Sequence, residues 1–416
     1  MTHTMEQLTI PDLEETASFD SAQEAAVAGK LRWPIVNLGD VCTFTGGGTP
    51  DRSNPDFWDG SIPWVSVKDF KTFKIDSAQE SITELGLKNS ASNLIKAGTI
   101  IIPTRMALGK VAVCSVDVAI NQDLKAVLIK DESLLSRDFL VYSLFSRANY
   151  IESRGKGATV QGVTLDVLRS LEIPLPPLPE QQRIVARLDQ AQRLIDQRKE
   201  QLTLMDALVQ SLFYEMFGDP VKNEKGWEVK SVSSVCSSIM GGGTPSKSNP
   251  DYYTGLIPWV TPKDMKVIWI NNSIDKITEN AISSSSAKLI KTGSVLMVIR
   301  SGILKNKLPV AINTVPVTLN QDMKAFVPKK DLLKAEFLLY IFNFFQPVLL
   351  GKVRAVTADN IEFSQIKDLL IPIPPLPLQQ AFADRVQQIE ALKQQMQASL
   401  RELEQNFQAL MQEAFG

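Results

Sequence analysis

The sequence contains very little histidine and cysteine. Its 416 residues include one histidine, His3, and three cysteines, Cys42, Cys114 and Cys236, which form no CxxC pair. A single histidine near the terminus excludes most zinc sites, serine–histidine–aspartate triads and histidine acid–base catalysis. We interpret the cysteines as buried free thiols in a reducing compartment, because their spacing does not predict a disulfide framework.

Long apolar runs and a strong net charge are also missing. The most apolar stretch, residues 337–350, is too short to cross a membrane and is interrupted by Asn343 and Gln346. The N-terminus lacks a signal-peptide pattern, so the sequence predicts a cytoplasmic protein without membrane contact. The net charge is −2; residues 1–30 carry six acidic residues and one basic residue, a net −5, which leaves +3 for the remainder. This balance neither indicates nor excludes a nucleic-acid partner.

A long internal repeat organises most of the chain. Residues 46–69, GGGTPDRSNPDFWDGSIPWVSVKD, match residues 241–264, GGGTPSKSNPDYYTGLIPWVTPKD, at 16 of 24 positions with an offset of 195. Two later motifs also recur: NQDLKA at 121–126 as NQDMKA at 320–325, and IPLPPLPEQQ at 173–182 as IPIPPLPLQQ at 371–380. Self-similarity over such a long period predicts a structure built from duplicated units.

The repeat divides the chain into alternating globular and helical segments. Each globular segment combines β-type runs, such as TIIIPT at 99–104, with a helical stretch, such as 136–153, which predicts an α+β or α/β domain of ~140 residues. We place the segments as follows: an acidic N-terminal segment at 1–30, a first domain at 31–175, a first long helix at 176–218, a second domain at 219–373 and a second long helix at 374–416.

Each long helix carries the seam of a coiled coil. Its seam residues recur in alternating steps of four and three, with one basic interruption per helix at Arg198 and Lys393. A proline cluster precedes each helix and suits an extended lead-in; a ligand for an adaptor domain and an ordinary buried bundle face remain alternatives. We predict that the two helices pack on each other through Ile184, Leu188, Ile195, Leu202, Val209 and Leu212 of the first and Phe382, Val386, Ile389, Leu400, Leu403, Phe407 and Leu410 of the second.

The glycine-rich stretch does not match a nucleotide-binding or catalytic motif. GGGTP lacks the lysine of GxxxxGK[ST] and the spacing of GxGxxG. SNPD superficially resembles an amino-methyltransferase motif, but no glycine-rich cofactor loop accompanies it. A nuclease site is a weak alternative, because its carboxylates and lysine must cluster around one metal ion. We instead predict a short helix capped by Asn54 or Ser53, with Pro55 in its first turn, that ends at Gly60.

Basic residues at matching positions are the remaining candidates for binding. Lysine is a flexible phosphate partner, whereas arginine can also form two hydrogen bonds to guanine. Our DNA-binding candidates are Lys68, Lys71, Lys74, Arg105, Lys110, Arg154, Lys156, Lys263, Arg300, Lys305, Lys307 and Arg354.

With its tandem domains, its IPWV…KD strands and the segment PLPPLPEQQRIVARLD at 174–189, the chain resembles the specificity subunit of a type I restriction–modification system. The second helix departs from this pattern, with Leu378 where the first has Glu180. The resemblance implies a non-catalytic reader of double-stranded DNA, in which each target-recognition domain reads half of a bipartite site. If both domains bind DNA but read different half-sites, base choice belongs to divergent stretches such as 71–92 and 266–287 rather than to the repeated motifs.

The resemblance also implies an antiparallel pair of long helices that holds the domains apart and docks two methyltransferase subunits, with restriction–motor subunits joining the assembly. S-adenosylmethionine, ATP and Mg²⁺ then belong to those partners, and this chain binds no cofactor. A continuous helix of 38 steps is ~57 Å long, which predicts half-site centres on the order of 10–17 base pairs apart. A DNA methyltransferase with fused recognition domains and a coiled-coil protein scaffold remain the alternatives.

Overall fold

The computed structural model describes residues 33–156, 162–355 and 359–416, so the acidic segment predicted at 1–30 lies outside the described residues. The chain forms two compact units. Unit 1 combines the described residues up to Leu194 with residues 403–416, and unit 2 comprises residues 195–402. Both long helices therefore contribute to both units.

Unit 1 is a mixed α/β structure built mainly of short strands. The strands are β1 (Ile35–Asn37), β2 (Cys42–Gly46), β3 (Trp58–Val65), β4 (Lys74–Ile75), β5 (Glu80–Ile82), β6 (Leu94–Ile95), β7 (Ile100–Pro103), β8 (Ala112–Cys114), β9 (Val118–Ile120), β10 (Leu124–Ile129) and β11 (Glu172–Pro174). Its short helices are α1 (Leu38–Val41), α2 (Glu84–Lys88), α3 (Arg137–Ser146), α4 (Ala148–Ser153) and α5 (Leu165–Arg169).

Two sheets organise unit 1. A five-stranded sheet has the order β2-β10-β7-β8-β4, and a four-stranded sheet has the order β5-β3-β9-β6. The pairs β4–β8 and β3–β9 are parallel, whereas the other pairs in these sheets are antiparallel. Every residue of β7, IIIP, is buried, as expected for an apolar run in the middle of a sheet.

Unit 2 repeats this topology. Its strands are β12 (Glu228–Ser231), β13 (Cys236–Gly241), β14 (Ile257–Val260), β15 (Trp269–Ile270), β16 (Lys276–Ile277), β17 (Val295–Val298), β18 (Val310–Asn313), β19 (Thr318–Leu319), β20 (Met323–Pro328), β21 (Arg354–Ala355), β22 (Asp359–Asn360) and β23 (Leu370–Ile373). The main sheet has the order β13-β20-β17-β18-β15, and a smaller sheet has the order β16-β14-β19. The pairs β15–β18 and β14–β19 are again parallel.

The helices of the second copy occupy corresponding places in the chain. They are α7 (Val232–Val235), α8 (Glu279–Ser283), α9 (Ala335–Phe344), α10 (Gln346–Leu350) and α11 (Phe363–Lys367). The buried face of α9 includes Phe337 and Phe342, and the Phe342 ring lies 5.0 Å from that of Phe326 in β20. Helix α9 therefore covers the main sheet of unit 2 and joins its hydrophobic core.

The two long helices each contain 40 residues. The first, α6 in chain order, is Leu178–Phe217, and the second, α12, is Leu376–Phe415. Two contacts within unit 2 define their direction: Asp206 with Lys393 at 2.6 Å, and the Phe213 ring with the Phe382 ring at 5.5 Å. Because the higher number in α6 pairs with the lower number in α12, these segments run antiparallel.

The helix that starts in the SNPD segment is shorter than the sequence predicted. Asn54 does cap a helix, accepting a hydrogen bond from Asp56 N–H at 3.0 Å. That helix is a single 3-10 turn, Pro55–Phe57, and does not extend to Gly60. Trp58 instead begins β3 and packs edge-to-face on Trp64 at 5.2 Å. Burial of aromatic surface in the sheet therefore overrides continued helix formation.

Candidate nucleic-acid interface

The repeated glycines form a close-packed turn and not an open phosphate loop. A side chain on Gly47 would overlap the Ile120 carbonyl, and one on Gly48 would crowd the Ala91 backbone. The Gly48 carbonyl accepts a hydrogen bond from Trp64 Nε1 at 3.0 Å. Unit 2 repeats this arrangement with Gly242, Gly243, Asn320 and Trp259. The glycines permit this close approach of backbone segments, which gives the triplet a structural role.

In unit 1 the NQD motif forms the turn between β9 and β10, which belong to the two different sheets. Asn121 N–H donates to the Val65 carbonyl at 3.0 Å, which attaches the turn to the IPWV strand. The Asp123 carbonyl accepts from Thr104 N–H at 2.7 Å and fixes the end of β7 beside the turn. Arg105 follows directly, with its Nη1 3.6 Å from Asp123 Oδ1. The repeated motifs thus meet where a candidate arginine reaches the surface.

Both units hold this arginine against a largely buried aspartate. The Arg105 side chain is 62% exposed, whereas that of Asp123 is only 10% exposed. In unit 2, Arg300 Nε donates to Asp322 Oδ1 at 2.6 Å. A guanidinium has five N–H donors, so one carboxylate can orient it while other donors face outward. This arrangement suits a positioned contact with a phosphate or a base edge.

Backbone pairing places a second basic residue on the other side of the residue with which each arginine pairs. In unit 1, Gly162 forms β-bridges with both Arg105 and Lys156. In unit 2, Asn360 pairs with Arg300 and also with Arg354. We call each group of three residues a basic edge. It joins positions that are distant in the sequence, and it occurs at the same place in both copies.

A second set of candidates lies on a loop held by one aspartate. Asp69 Oδ2 accepts from Ser66 N–H at 2.8 Å, and its Oδ1 accepts from Gln79 N–H at 2.9 Å. Asp264 closes the corresponding loop of unit 2 through Thr261 N–H and Ile274 N–H, both at 2.8 Å. We call residues 66–79 and 261–274 the clamped loops. Their exposed lysines are Lys68, Lys71 and Lys74 in unit 1 and Lys263 and Lys266 in unit 2.

The other candidates are distributed around these two groups. Lys110 Nζ donates to the Phe70 carbonyl at 2.9 Å, so it also buttresses the clamped loop of unit 1. The Arg154 guanidinium carbon lies 4.9 Å from the centre of the Tyr150 ring. Lys305 and Lys307 are exposed at and just after a 3-10 helix, Gly302–Lys305. The structure thus concentrates most candidates in the basic edges and clamped loops without assigning their partner.

The predicted seam residues of the long helices face away from solvent. The fully buried ones are Ile184, Leu188, Ile195, Val209, Phe382, Val386 and Phe407, and the half-buried ones are Leu202, Leu212, Ile389, Leu400, Leu403 and Leu410. Lys393 interrupts the seam and donates to both Asp206 and Glu390. Burial alone would lower the pKa of Lys393, but these two hydrogen bonds raise it above its ordinary value.

Sequence reasoning missed the glutamine that fastens each long helix to its domain. Gln181 is fully buried; its Oε1 accepts from Ser136 N–H at 2.8 Å, and its Nε2 donates to the Leu134 and Pro176 carbonyls at 2.7 and 2.8 Å. Gln379 makes the same contacts in unit 2 with Lys334, Leu332 and Pro374. The sequence signal that could have found it is that a glutamine stands at the same position after both proline clusters, as Gln181 and Gln379.

Neither a metal-binding cluster nor a membrane-spanning helix occurs in the part of the chain that the structure describes. No group of three or more histidine, cysteine, aspartate or glutamate side chains is arranged to hold a metal ion among residues 33–156, 162–355 and 359–416. Within the same ranges, no helix has the length and apolarity needed to cross a membrane.

The fold and the recurrence of the basic edges define a class: a duplicated α/β protein with two copies of one candidate binding surface. The chain matches the family described as type I restriction modification DNA specificity domain at residues 30–204 and again at 224–405. It therefore belongs to that family, with two copies of the domain in tandem. The family resemblance and the tandem α/β architecture predicted from the sequence are confirmed.

The chain is similar to proteins named as type I restriction enzyme specificity subunits. The type I restriction enzyme MjaIX specificity subunit of Methanocaldococcus jannaschii is 26% identical over 376 residues, covering 85% of this chain and 86% of that protein. The EcoR124I/EcoR124II specificity subunit of Escherichia coli is 32% identical over 246 residues, covering 57% of this chain and 59% of that protein. Among solved structures, the S subunit from M. genitalium has a TM-score of 0.57 at 14% identity, covering 94% of this chain and 98% of that chain.

A second solved structure supports the same fold. It belongs to a study of complex assembly and conformational transition of the type I restriction–modification system, with a TM-score of 0.59, 22% identity and coverage of 92% of this chain and 97% of that chain. At such low identity the two structural matches bear on the fold alone, and they extend over both units and both long helices.

Proposed function

We propose that this chain is the DNA-recognition subunit of a type I restriction–modification complex. Each unit reads one half of a bipartite site in double-stranded DNA. The observation that carries this proposal is the double match to the specificity domain, combined with a basic edge at the same place in each unit. Positive side chains around a groove-reading surface supply phosphate contacts, which fix the register in which bases are read.

The chain itself performs no catalysis in this proposal. Two methyltransferase subunits dock on it and restriction–motor subunits join them, so S-adenosylmethionine, ATP and Mg²⁺ bind to those partners and not to this chain. We place the complex in the cytoplasm of a prokaryotic cell, associated with the nucleoid when it is bound to DNA.

The long helices serve as docking surfaces and set the spacer in the same proposal. Each is continuous over 40 residues, and a coiled-coil seam holds a fixed register between its helices. A rigid register makes the preferred number of base pairs between half-sites a property of helix length. The amino-acid identities of the recognition surfaces then determine which bases are chosen.

The test uses the chain assembled with its methyltransferase subunits. DNA containing randomised sequence is methylated by the complex, and the modified positions define the half-sites and the spacer. Double substitution of Arg105→Gln and Lys156→Gln is expected to weaken binding and to flatten the dependence of affinity on salt by roughly two phosphate contacts. Lys96→Gln is the matched control, because Lys96 is exposed and paired with Asp117 at 2.8 Å away from the basic edge.

Two outcomes would favour the alternatives. Binding of a labelled methyl donor by the purified chain, followed by DNA methylation, would identify a methyltransferase. If the assembled complex showed no salt-sensitive binding to any DNA, a protein-interaction scaffold would be the better description. Sequence-selective methylation by the complex, but not by the chain alone, supports the recognition role.

A further inference from the structure

The clamped loops surround an open concavity at the same place in both units. In unit 1 it has a volume of about 320 Å³ and is lined by Lys71, Lys74, Asp76 and Gln79, among others. In unit 2 it has a volume of about 330 Å³ and lies among residues 263–274. A surface hollow that recurs at matching positions in a duplicated fold is part of the domain's design and not an accident of one loop.

The framework of the concavity is the same in both units. The aspartate clamp links the start of each loop to a backbone N–H ten residues beyond the aspartate, that of Gln79 in unit 1 and of Ile274 in unit 2. Behind the hollow, Ile75 and Ile270 are buried in parallel strand pairs of the main sheets. The loop backbone is therefore fixed by the same groups, which leaves the lining side chains free to differ.

Two positions of the lining change from polar in unit 1 to apolar in unit 2. Unit 1 has the polar residues Thr72 and Gln79, where unit 2 has Val267 and Ile274. In unit 2, Val267 is 56% exposed and Ile274 is 70% exposed. Single exposed apolar residues are common on protein surfaces, but these two line one hollow. Their hollow also includes Lys263 and Lys266, which places apolar surface beside positive charge.

The chemistry of each lining suggests a different base contact. Lysines at the rim of a hollow can bind the phosphates on either side of a base pair. Exposed aliphatic side chains suit the C5-methyl group of thymine, which projects into the major groove. A glutamine can instead form paired hydrogen bonds with adenine N6 and N7.

We propose that the concavity of each clamped loop is a base-reading site. This inference rests on the proposed function and adds the residues that distinguish the half-sites. In unit 2, Val267 and Ile274 contact thymine methyl groups, and in unit 1, Gln79 binds an adenine edge. The repeated aspartates, Asp69 and Asp264, are positioning residues for this purpose, because both oxygens of each carboxylate accept hydrogen bonds from the loop backbone.

The experiment gives unit 2 the residues that unit 1 has at these two lining positions. The double variant Val267→Thr and Ile274→Gln is assembled with the methyltransferase subunits. Its binding is compared with that of the unchanged complex on DNA with thymine or uracil in each half-site separately. Uracil lacks only the methyl group, so each lost apolar contact is expected to reduce affinity about fourfold. The penalty is expected in one half-site for the unchanged complex and is expected to disappear in the variant.

Two control variants keep the test specific. Val229→Thr with Leu289→Gln changes a valine and a leucine that are also exposed in unit 2 but do not line the hollow; it is expected to keep the uracil penalty. Ile274→Leu retains the apolar lining and is also expected to keep it. These residues are exposed, so thermal unfolding of all variants should remain close to that of the unchanged chain.

The outcomes separate this inference from the proposed function. A complex that selects its site but shows no uracil penalty in either half-site would overturn the inference and leave the recognition role intact. The same holds if the penalty persists unchanged in the transplanted variant. Absence of any sequence-selective binding by the unchanged complex would reject the recognition role and the inference with it.

Discussion

The buried glutamine at the start of each long helix gives a sharp prediction about stability. We consider Gln181→Met, which keeps the length of the side chain but removes its amide. Three hydrogen-bonding groups then lose their partner: Ser136 N–H and the carbonyls of Leu134 and Pro176. The new side chain offers no donor and only a weak sulfur acceptor. The contact between α6 and the segment before α3 is expected to weaken first.

The magnitude follows from how far these groups are buried. A buried donor or acceptor without a partner costs about 1–3 kcal/mol. The contact with the Pro176 carbonyl is buried, whereas those with Ser136 N–H and the Leu134 carbonyl are only part-buried, so water replaces part of those two bonds and we expect a total loss of about 1–3 kcal/mol. That is still a sizeable share of the ~5–15 kcal/mol that stabilises an ordinary domain. Gln182→Met is the matched control; Gln182 is exposed, and surface substitutions of this kind usually change stability by less than ~0.5 kcal/mol.

The assay must report on each unit separately, because a chain with two units need not unfold in one transition. Hydrogen exchange measured on peptides serves this purpose. Gln181→Met is expected to reduce protection around residues 133–145 and to leave residues 330–343 unchanged. Gln379→Met is expected to do the reverse. Equal protection in the Gln181 and Gln182 variants would refute the claim that this amide fastens the helix to its domain.

Three further predictions concern the thiols, a divergent loop and the helices. Burial raises the pKa of each cysteine to about 12, so at pH 8 each thiol of the folded chain is ionised about three orders of magnitude less than free cysteine. Thiol reagents should therefore label the folded chain far more slowly than the denatured chain. Equal labelling rates would contradict this. Alanine at Lys305 and Lys307 should weaken DNA binding, with any change of selectivity confined to one half-site; normal affinity for all sequences would reject it. Inserting one heptad into 190–205 and one into the paired part of the second helix should alter the preferred spacer, and an unchanged spacer would refute a helix-set distance.

Local periodicity and duplication were the features that the sequence could reveal. The heptad spacing predicted the two long helices because their seam repeats within every two turns. The recurrence of the NQD motif marked a repeated segment, but its turn is attached to Val65 and Thr104 by contacts between residues far apart in the chain. The basic edges depend on backbone pairing of the same long-range kind. Hydrophobic period carries no information about which distant strands will pair.

Competition between local and tertiary preferences explains the remaining differences. A proline and a capping asparagine favour a helix after Asn54, yet Trp58 pairs with Ile82 as the first residue of β3 and packs its ring on Trp64. The anchoring glutamine was hidden for another reason. Its partners lie 45 and 47 positions away, and a polar residue in the first turn of an amphipathic helix ordinarily faces solvent.

The discontinuous make-up of unit 1 affects the order in which the chain can fold during synthesis. Unit 2 is contiguous, whereas unit 1 includes residues 403–416 from the far end of the chain. The Phe139 ring, for example, packs on Phe415 at 5.2 Å. Domains generally fold as they leave the ribosome, with the N-terminal one first. Here the earlier-made unit must wait for residues 403–416, so its α3 surface stays uncovered until those residues have been made and is the surface that a chaperone would need to protect.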